Sequence, residues 1–394
     1  MSLPARLAAL ADQWSERVIA WRRHLHQHPE LSFQEWNTAD FVEQTLRQFE
    51  GLEITRPTPT SVMATLRGAR PGKVLALRAD MDALPIQEDS GAPYSSLNDG
   101  VMHACGHDGH SAIMLGVAGL LSGEADKLSG EIRFLFQHAE EQPPGGAREL
   151  VEAGVLAGVD RIFGGHLNSQ LETGLISVAG GPIQASPDNF TITIHGTGGH
   201  AAAPHKTIDP IAVGVQVVQL LQHIVARETD PLAQRVISVT MFQSGSAYNV
   251  IPDQAVIGGT VRTFDPELRT QTYKRLQQLL QGVEMTHEVQ IKLDYTYGYL
   301  PVINDELIAL EVESAAVELF GSSNVIKAVP TMGGEDFSAY QQVVPGVFFD
   351  IGAGNKQAGI VYAHHHPKFN FDEAALTNAV RLFTYLAVKY VSEE

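Results

Sequence analysis

The densest group of reactive side chains in this 394-residue chain is the run HACGHDGH at residues 103–110. It combines a thiol, three imidazoles and a carboxylate, which are the side chains that bind Zn²⁺ and similar divalent ions. Cys105 is the only cysteine in the chain, so it cannot form an intramolecular disulfide. It is therefore a metal ligand, a nucleophile or an inert buried thiol, and its neighbours favour the ligand.

Three later segments carry the same kinds of side chain: HAEE at 138–141, GHLN at 165–168 and HHHP at 364–367. Each follows or flanks a short apolar run, which is typical of a buried strand. Helical patterns lie between these runs at 110–122, 145–153 and 372–391. Because strands that alternate with helices form a largely parallel sheet, with ligand sites at the carboxyl ends of the strands, we expect these segments to converge.

A different pattern begins near residue 188. An alternating strand at 190–194 is followed by a helix, two strands, a helix and a strand, at 208–227, 236–244, 250–264, 267–282 and 288–296. This β-α-β-β-α-β order is typical of a compact four-stranded unit with two helices on one face. The reactive clusters lie before and after it. The sequence therefore predicts an α/β catalytic domain formed by residues 1–186 and 299–394, with an α+β insertion at 187–298.

Composition excludes several classes of function. The net charge of −18 argues against a nucleic-acid partner, and no apolar run is long enough to cross a membrane. Residues 1–30 read as one polar amphipathic helix rather than a signal peptide, so we expect a cytoplasmic protein. The HLHQH segment at 24–28 looks like a metal site, but its place at the end of this helix favours surface or packing roles.

Competing motifs are weak. GTGGHA at 196–201 resembles a dinucleotide fingerprint, but Pro204 interrupts the expected helix. The chain has no Walker A loop, no G-x-S-x-G elbow and no H-E-x-x-H helix.

Two other classes of function stay open. One is an amidase with Cys105 as nucleophile and His107 as base, and the other is a metal-binding or ligand-binding protein without activity.

The candidate ligands outnumber those of one tetrahedral ion, which favours two ions with a water between them. These ligands are Cys105, His107, Glu141, His166 and His365. Their types suit Zn²⁺ but do not separate it from Mn²⁺, Co²⁺ or Ni²⁺. Glu140 and Glu141 point to opposite sides if the segment is extended, so that one binds metal and the other faces the substrate as a base. The residues alone do not say which.

Six motifs in order resemble those of one amidohydrolase family. They are RADMDALP at 78–85, HACGHDGH, QHAEE at 137–141, GGHAAAPH at 198–205, GTVRTF at 259–264 and GEDF at 334–337. The family includes hippurate hydrolases, bacterial aminoacylases and plant auxin-conjugate hydrolases, which are relatives of dinuclear aminopeptidases and carboxypeptidases. The resemblance covers residues 20–391. It implies that residues 187–298 form a lid or dimerisation domain, and that the protein is a homodimer or a dimer-based oligomer.

The resemblance also implies a reaction and its residues. A small N-acyl amino acid is hydrolysed to a carboxylic acid and a free amino acid, with two divalent ions held by Cys105, His107, Glu141, His166 and His365. Glu140 falls on the general base, which takes a proton from water and returns it to the leaving amine. His365 is chosen from its triplet because the family pattern is His, any residue, then Pro. The alternative is a dipeptidase or carboxypeptidase that acts on short peptides by the same mechanism.

The remaining candidates lie around this centre. The resemblance implies that His200 donates to the developing oxyanion in the partner subunit's site. Asn249 and Arg262 are candidates for binding the substrate carboxylate, and Glu335 either touches substrate or caps a helix.

Three further positions lie beside the matched motifs. Asp82 resembles the carboxylate that orients the site, while Asp80 stands where many peptidase relatives have a metal-binding His, or caps a turn. His138 replaces a common Pro, and it is either packed or able to shift the pH dependence.

Overall fold

The computed structural model describes residues 2–392. Contacts between Cα atoms divide the chain into two compact units. The first unit contains the residues up to Ile183, Ile303–Val329 and the residues from Asp336 onward, and the second contains Gln184–Val302 and Pro330–Glu335. The lid or dimerisation role of residues 187–298 stays a prediction, because these contacts assign no role to either unit.

The structure has ten α-helices among the described residues. They are α1 Leu3–Ala8, α2 Ser15–Gln27, α3 Trp36–Leu46, α4 His107–Ser122, α5 Gly146–Glu152, α6 Pro210–Arg227, α7 Pro266–His287, α8 Glu306–Phe320, α9 Ser338–Gln341 and α10 Ala374–Ser392. Short 3-10 segments lie at Ala9–Trp14, Ala125–Lys127, Pro204–Lys206 and Ser322–Asn324. Within residues 2–392, no helix is both long enough and apolar enough to cross a membrane.

Sixteen strands accompany these helices in the described part of the chain. They are β1 Leu52–Thr55, β2 Val62–Arg67, β3 Arg70–Asp80, β4 Ser129–Gln137, β5 Arg161–Glu172, β6 Ile176–Val178, β7 Gly181–Gln184, β8 Ser186–His195, β9 Gly199–His200, β10 Arg235–Ser244, β11 Val250–Ile251, β12 Gln254–Thr263, β13 Gln290–Thr296, β14 Val302–Asn304, β15 Val325–Lys327 and β16 Gly346–Gly354.

The first unit is built on an eight-stranded sheet in the order β1-β2-β4-β3-β5-β16-β6-β15. Its four central strands, β4, β3, β5 and β16, are parallel, whereas β1, β2 and β6 pair with antiparallel neighbours. The central strands are apolar and bury residues such as Leu77, Phe134, Phe163 and Phe349, as expected for strands covered on both faces. The predicted mixed, largely parallel sheet is confirmed.

The amino terminus differs from the single helix that the sequence predicts. The helical run is interrupted by the 3-10 segment Ala9–Trp14, and α2 ends at Gln27. It ends there because His28 precedes Pro29, and a proline ring disfavours the α conformation in the residue before it. His26 is buried and bonded to Asp108 and Glu88, at 2.8 and 3.3 Å. It therefore has a packing role.

Glu88 is held as a carboxylate by its neighbours. Burial alone would raise its pKa, but hydrogen bonds from His26, the Ser90 hydroxyl and the Ser96 N–H outweigh burial and lower the pKa from 4.5 to about 2. This shift stabilises the ionised form of Glu88 in the folded protein.

The second unit is a four-stranded antiparallel sheet in the order β10-β12-β8-β13. Alternate β8 residues Phe190, Ile192 and Ile194 are buried in one core with apolar residues of α6 and α7. Both helices begin at an Asp-Pro pair: Asp209 and Asp265 accept hydrogen bonds from the N–H groups of the first turn, and the proline follows at the first helical position. The predicted β-α-β-β-α-β order is found here.

One buried ion pair ties this second unit together. The Asp188 carboxylate accepts hydrogen bonds from Arg269 Nε at 2.9 Å, Tyr295 Oη at 2.8 Å and the Gly298 N–H at 3.0 Å. Asp188 is fully buried, so these donors replace the water that it loses on folding.

Candidate metal centre

The candidate centre lies in the first unit, where parallel strands end and α4 begins. β3 ends at Asp80 and β4 at Gln137, while His166 in β5 lies two residues beyond the last residue paired with β3. His107 is the first residue of α4, and the preceding Gly106 has a φ of 98°. Because residues with a side chain rarely adopt this backbone conformation, glycine is favoured at the turn between Cys105 and His107.

Cys105 is shared by two groups of possible ligands. Its Sγ groups with the ring nitrogens of His107 and His166, and also with a carboxylate oxygen of Glu141 and a ring nitrogen of His365; within each group the atoms lie within 4.8 Å of one another. Cys105 Sγ is 3.4 Å from His166 Nε2, and Glu141 Oε1 is 3.1 Å from His365 Nε2. The structure thus brings together all five residues that the sequence predicts as ligands.

Glu140 and Glu141 do not point to opposite sides, and that expectation is wrong. Glu140 Oε2 lies 3.9 Å and Glu141 Oε1 lies 4.0 Å from His107 Nε2. The segment is not extended, because β4 ends at Gln137 and Ala139 has a φ of 48° in the left-handed region. Both carboxylates therefore face the same imidazole.

His107 provides the test of whether these residues fit a cation. Its Nδ1 lies 2.9 Å from the Asp82 carbonyl oxygen and 3.2 Å from Asp82 Oδ1. Its Nε2 is buried and has no hydrogen-bond partner, which is unusual for a buried polar atom. A metal-binding histidine usually donates its other ring N–H to a carboxylate or a backbone carbonyl, as His107 Nδ1 can do here, and its Nε2 is then left for the ion. The residues therefore fit a divalent cation.

The electrostatics of the centre also favour a cation. Burial opposes charge on His107, but the carboxylates of Asp80, Asp82 and Glu141 outweigh it and raise its pKa to about 10. Burial, followed by the charges of Glu141 and Glu140, raises the pKa of the Cys105 thiol well above its ordinary value. A nucleophilic cysteine needs a lowered pKa, so these surroundings count against the cysteine-amidase alternative.

His166 is held in its neutral form. Burial is the largest cause, and nearby His110 and His364 add to it, so the pKa of His166 lies well below its ordinary value. Its Nδ1 lies 3.0 Å from the Leu167 carbonyl oxygen, to which it can donate. Nε2 then faces Cys105 with a lone pair, as metal binding requires.

Asp80 and His110 form a supporting pair. His110 Nδ1 lies 2.6 Å from Asp80 Oδ1, while His110 Nε2 accepts the Leu167 N–H at 2.9 Å. Both ring nitrogens of His110 are used, so this imidazole has no lone pair left for a metal. Asp80 is also bonded to Arg78 at 2.7 Å. Gly109, one helix position earlier, lets Leu167 approach, since a Cβ there would lie 2.4 Å from its Cδ1.

The three consecutive histidines have different surroundings. His364 Nε2 lies 2.8 Å from the Leu167 carbonyl oxygen, and the His366 ring stacks on Tyr362 with centroids 4.4 Å apart. His365 has a positive φ of 65°, and its N–H donates to the Ala104 carbonyl at 2.8 Å. This turn directs the His365 ring toward Glu141.

His138 is packed beside this centre. It is buried, and its Nε2 lies 3.0 Å from a carboxylate oxygen of Glu149. Its other ring nitrogen is 3.4 Å from the Thr58 hydroxyl. These contacts favour the packed and hydrogen-bonded interpretation of this residue.

A buried network includes three residues to which the sequence analysis assigned no role: Arg78, Gln137 and Asp336. Arg78 donates to Gln137 Oε1, Asp80 and Asp336, all at 2.7–2.8 Å, and Gln137 Nε2 donates to Asp336 at 2.7 Å. These residues lie inside three of the six motifs, RADMDALP, QHAEE and GEDF. The available signal was a charged Arg within the apolar strand β3, since a buried guanidinium requires acidic partners.

His200 and Asn249 are exposed residues of the second unit. His200 ends the short strand β9, and its Nδ1 accepts the Ala202 N–H at 3.0 Å. The Asn249 carbonyl accepts the Ala201 N–H at 3.0 Å. This local bonding fixes the tautomer of His200 with its proton on Nε2.

Arg262 and Glu335 also belong to the second unit. Arg262 is half-buried on β12, and its guanidinium bonds Thr260 Oγ1 at 3.1 Å and the Met332 carbonyl at 3.3 Å. Glu335 is buried. The helix α9 begins at Ser338 with Phe337 as its N-cap, so Glu335 lies two residues before the N-cap position.

With the two-unit fold and a group of cysteine, histidine and glutamate ligands described, comparison with known proteins defines the class. Residues 76–389 match the model of Peptidase family M20/M25/M40. The chain belongs to this family, and the resemblance drawn from the six motifs is confirmed.

Three similar proteins illustrate the range of this family. The N-acyl-L-amino acid amidohydrolase of Geobacillus stearothermophilus is 56% identical over 75% of this chain and 80% of its own length. Thermostable carboxypeptidase 1 of Saccharolobus solfataricus is 40% identical over 99% of both chains. The structure of Bacillus subtilis YXEP, described as a dinuclear metal binding peptidase, matches with a TM-score of 0.84, at 39% identity over 96% of this chain and 99% of that one.

Proposed function

We propose that this protein hydrolyses the amide bond of N-acyl amino acids to a carboxylic acid and a free amino acid. It is an amidohydrolase of the M20 family that acts on C–N bonds. The observation that carries the proposal is the grouping of five ligand side chains, with Cys105 shared by both groups, and with the Glu140 carboxylate as a sixth side chain 3.9 Å from His107 Nε2. The name of the Geobacillus relative supports N-acyl amino acids as the substrate class.

The proposed cofactor is a pair of divalent ions per subunit, bound by Cys105, His107, Glu141, His166 and His365. Two observations support a pair: Cys105 belongs to two separate ligand groups, and a similar solved structure is described as dinuclear. When bound, such ions polarise the scissile carbonyl and lower the pKa of water. The ligand types are compatible with Zn²⁺, Mn²⁺, Co²⁺ or Ni²⁺.

The protein's own residues then move the proton. Glu140 accepts a proton from the attacking water and later donates it to the leaving amine, so that one carboxylate serves both halves of the reaction. Asp82 keeps His107 in one orientation through the two contacts at Nδ1. Burial of Glu140 excludes bulk water, which strengthens its interaction with the reacting groups.

The second unit is proposed to supply the substrate contacts, in a homodimer or dimer-based oligomer. His200 would donate through Nε2 to the developing oxyanion in the partner subunit's site. Asn249 and Arg262 would bind the substrate carboxylate, and Glu335 would contact the substrate. These roles rest on the family resemblance.

Peptide cleavage is the second candidate. Thermostable carboxypeptidase 1 matches nearly the whole chain, and a peptide bond is also an amide between an acyl group and an amino acid. The same residues can therefore serve either substrate class.

The test is hydrolysis of a panel of N-acyl amino acids and dipeptides by the purified protein. Turnover is measured before chelation, after chelation, and after Zn²⁺, Mn²⁺ or Co²⁺ is restored. We expect activity that is lost with the chelator and recovered with metal, and that is higher on N-acyl amino acids than on dipeptides. Chelator-resistant turnover would contradict the metal mechanism, and preference for dipeptides would select the second candidate.

A further inference from the structure

We propose that residues 31–35, here called the clamp loop, hold the turn that carries Glu140 and Glu141 and thereby set the geometry of the metal centre. Within this loop, Ser32 and Glu35 are the positioning residues. The clamp loop precedes residue 76, where the match to the family model begins. This inference rests on the proposed function.

The first contact of the clamp loop is with the residue before Glu140. Glu35 Oε1 accepts the Ala139 N–H at 2.7 Å and the Phe33 N–H at 3.1 Å. The same carboxylate oxygen therefore folds the clamp loop and attaches it to the turn. Glu35 is completely buried, so water cannot compete for these bonds.

The attached turn has an unfavourable backbone conformation. Ala139 has a φ of 48°, which a residue with a side chain adopts only when its surroundings impose it. The N–H of Ala139 bonds Glu35, and its carbonyl accepts the Gly146 N–H at 3.0 Å. Loss of the Glu35 bond releases one of these two constraints and lets both glutamates reorient.

The second contact reaches the centre through Asp82. Ser32 Oγ donates to Asp82 Oδ2 at 2.7 Å, and the same oxygen accepts the Glu141 N–H at 2.9 Å. The other carboxylate oxygen of Asp82 faces His107 Nδ1. Ser32 thus fixes the Asp82 carboxylate, which orients the His107 side chain and bonds the backbone N–H of Glu141.

Glu35 is costly as a purely structural residue. Its Oε2 is buried without a hydrogen-bond partner, and such an atom lowers stability. Burial, followed by the charge of Asp82, raises the pKa of Glu35 to about 7. An apolar side chain would fill the same space without this cost, but it could not accept the Ala139 N–H.

The experiment compares Glu35→Ala, Glu35→Gln and Ser32→Ala with the control Glu30→Ala. Glu30 lies in the same segment, but its carboxylate accepts hydrogen bonds from Asn37 and Thr38 at the start of α3, away from the turn. Metal affinity is measured by competition for Zn²⁺ with a chromophoric chelator. Turnover and thermal unfolding are measured on the same samples.

We expect Glu35→Ala to lose about 10- to 100-fold in metal affinity or kcat, the usual effect of removing a group that orients a ligand. Glu35→Gln should recover most of this loss, because its amide oxygen still accepts the Ala139 N–H. Ser32→Ala should show a smaller loss in the same direction. Glu30→Ala should lower the unfolding temperature while metal affinity and kcat stay unchanged.

Wild-type metal affinity and kcat in folded Glu35→Ala would overturn the inference, as would equal losses in Glu30→Ala. If Glu35→Ala does not fold, Ser32→Ala decides: wild-type affinity and kcat in that variant would also overturn the inference. Failure of the wild-type protein to bind Zn²⁺, Mn²⁺, Co²⁺ and Ni²⁺ alike is a separate outcome, which would refute the proposed metal centre itself.

Discussion

Replacing Glu140 and Glu141 one at a time by glutamine should separate proton transfer from metal binding. The two residues are adjacent, and their carboxylate oxygens lie 3.9 and 4.0 Å from the same atom, His107 Nε2. Each variant therefore controls for the other, because both remove one charge from the same place and keep the shape of the side chain.

The expected magnitudes follow from these roles. Glu140→Gln should keep its metal and lose on the order of 10² to 10⁴ in kcat, the scale of a lost general base, which corresponds to about 3 to 5 kcal/mol of barrier. Glu141→Gln removes the charge of a proposed ligand, and carboxylate ligands bind Zn²⁺ at about 2 Å. Even at about 4 Å, two unit charges interact by about 4 kcal/mol at an effective dielectric constant of 20, so the metal affinity of this variant should fall by at least about 10³.

The assay measures metal content after dialysis, affinity by chelator competition, and kcat at saturating metal. The assigned roles would be supported if Glu140→Gln kept normal metal affinity and lost most of its kcat. Glu141→Gln should instead lose mainly metal affinity. If Glu140→Gln lost metal while Glu141→Gln kept it, the two roles would have to be exchanged. Near-normal turnover of Glu140→Gln would remove this residue from the mechanism.

Three other outcomes are expected. Mixed dimers of His200→Ala with Glu140→Gln should regain part of the activity if each site takes its oxyanion donor from the partner, and verified mixed dimers without activity would count against a shared site. Asp188→Ala should lower the free energy of unfolding by about 3 to 5 kcal/mol, measured with urea, since it leaves Arg269 buried without its carboxylate; a loss below about 1 kcal/mol would contradict this. Ionised Glu88, with its pKa lowered from 4.5 to about 2, stabilises the fold above pH 4.5 and loses this effect as the pH falls toward 2. The free energy of unfolding of the wild-type protein should therefore fall between pH 5 and pH 2.5, and in Glu88→Gln this fall should be smaller by about 1 to 2 kcal/mol, a value discounted for partial exposure. An equal fall in both proteins would refute the stabilising role of ionised Glu88.

The sequence was sufficient for the fold class and for the family. Apolar runs identify β4, β5 and β16 because these strands are buried on both faces, and the family assignment was confirmed by the match to the family model. The chemistry of the ligand residues is also readable, since thiolate, imidazole and carboxylate are uncommon at such density. Their roles remain predictions.

The local backbone at the centre was not readable from the sequence. The expectation that Glu140 and Glu141 diverge failed because Ala139 adopts a left-handed conformation, which nothing in its own side chain favours. One of the two hydrogen bonds that hold Ala139 comes from Glu35, which lies 104 residues earlier. Long-range contacts of this kind have no local pattern, so Glu35 and Ser32 could not be assigned before the structure was known.

The hydrogen bond from the His365 N–H to the Ala104 carbonyl has a consequence for biosynthesis. About 260 residues separate these two groups in the chain, and ribosomes add about 5 to 20 residues per second. Four of the proposed ligands, Cys105, His107, Glu141 and His166, are therefore made about 10 seconds or more before the fifth, His365. Any metal bound in that interval would be held by an incomplete set of the proposed ligands, so selection among ions by the full set begins only once His365 has been made and has folded back onto Ala104.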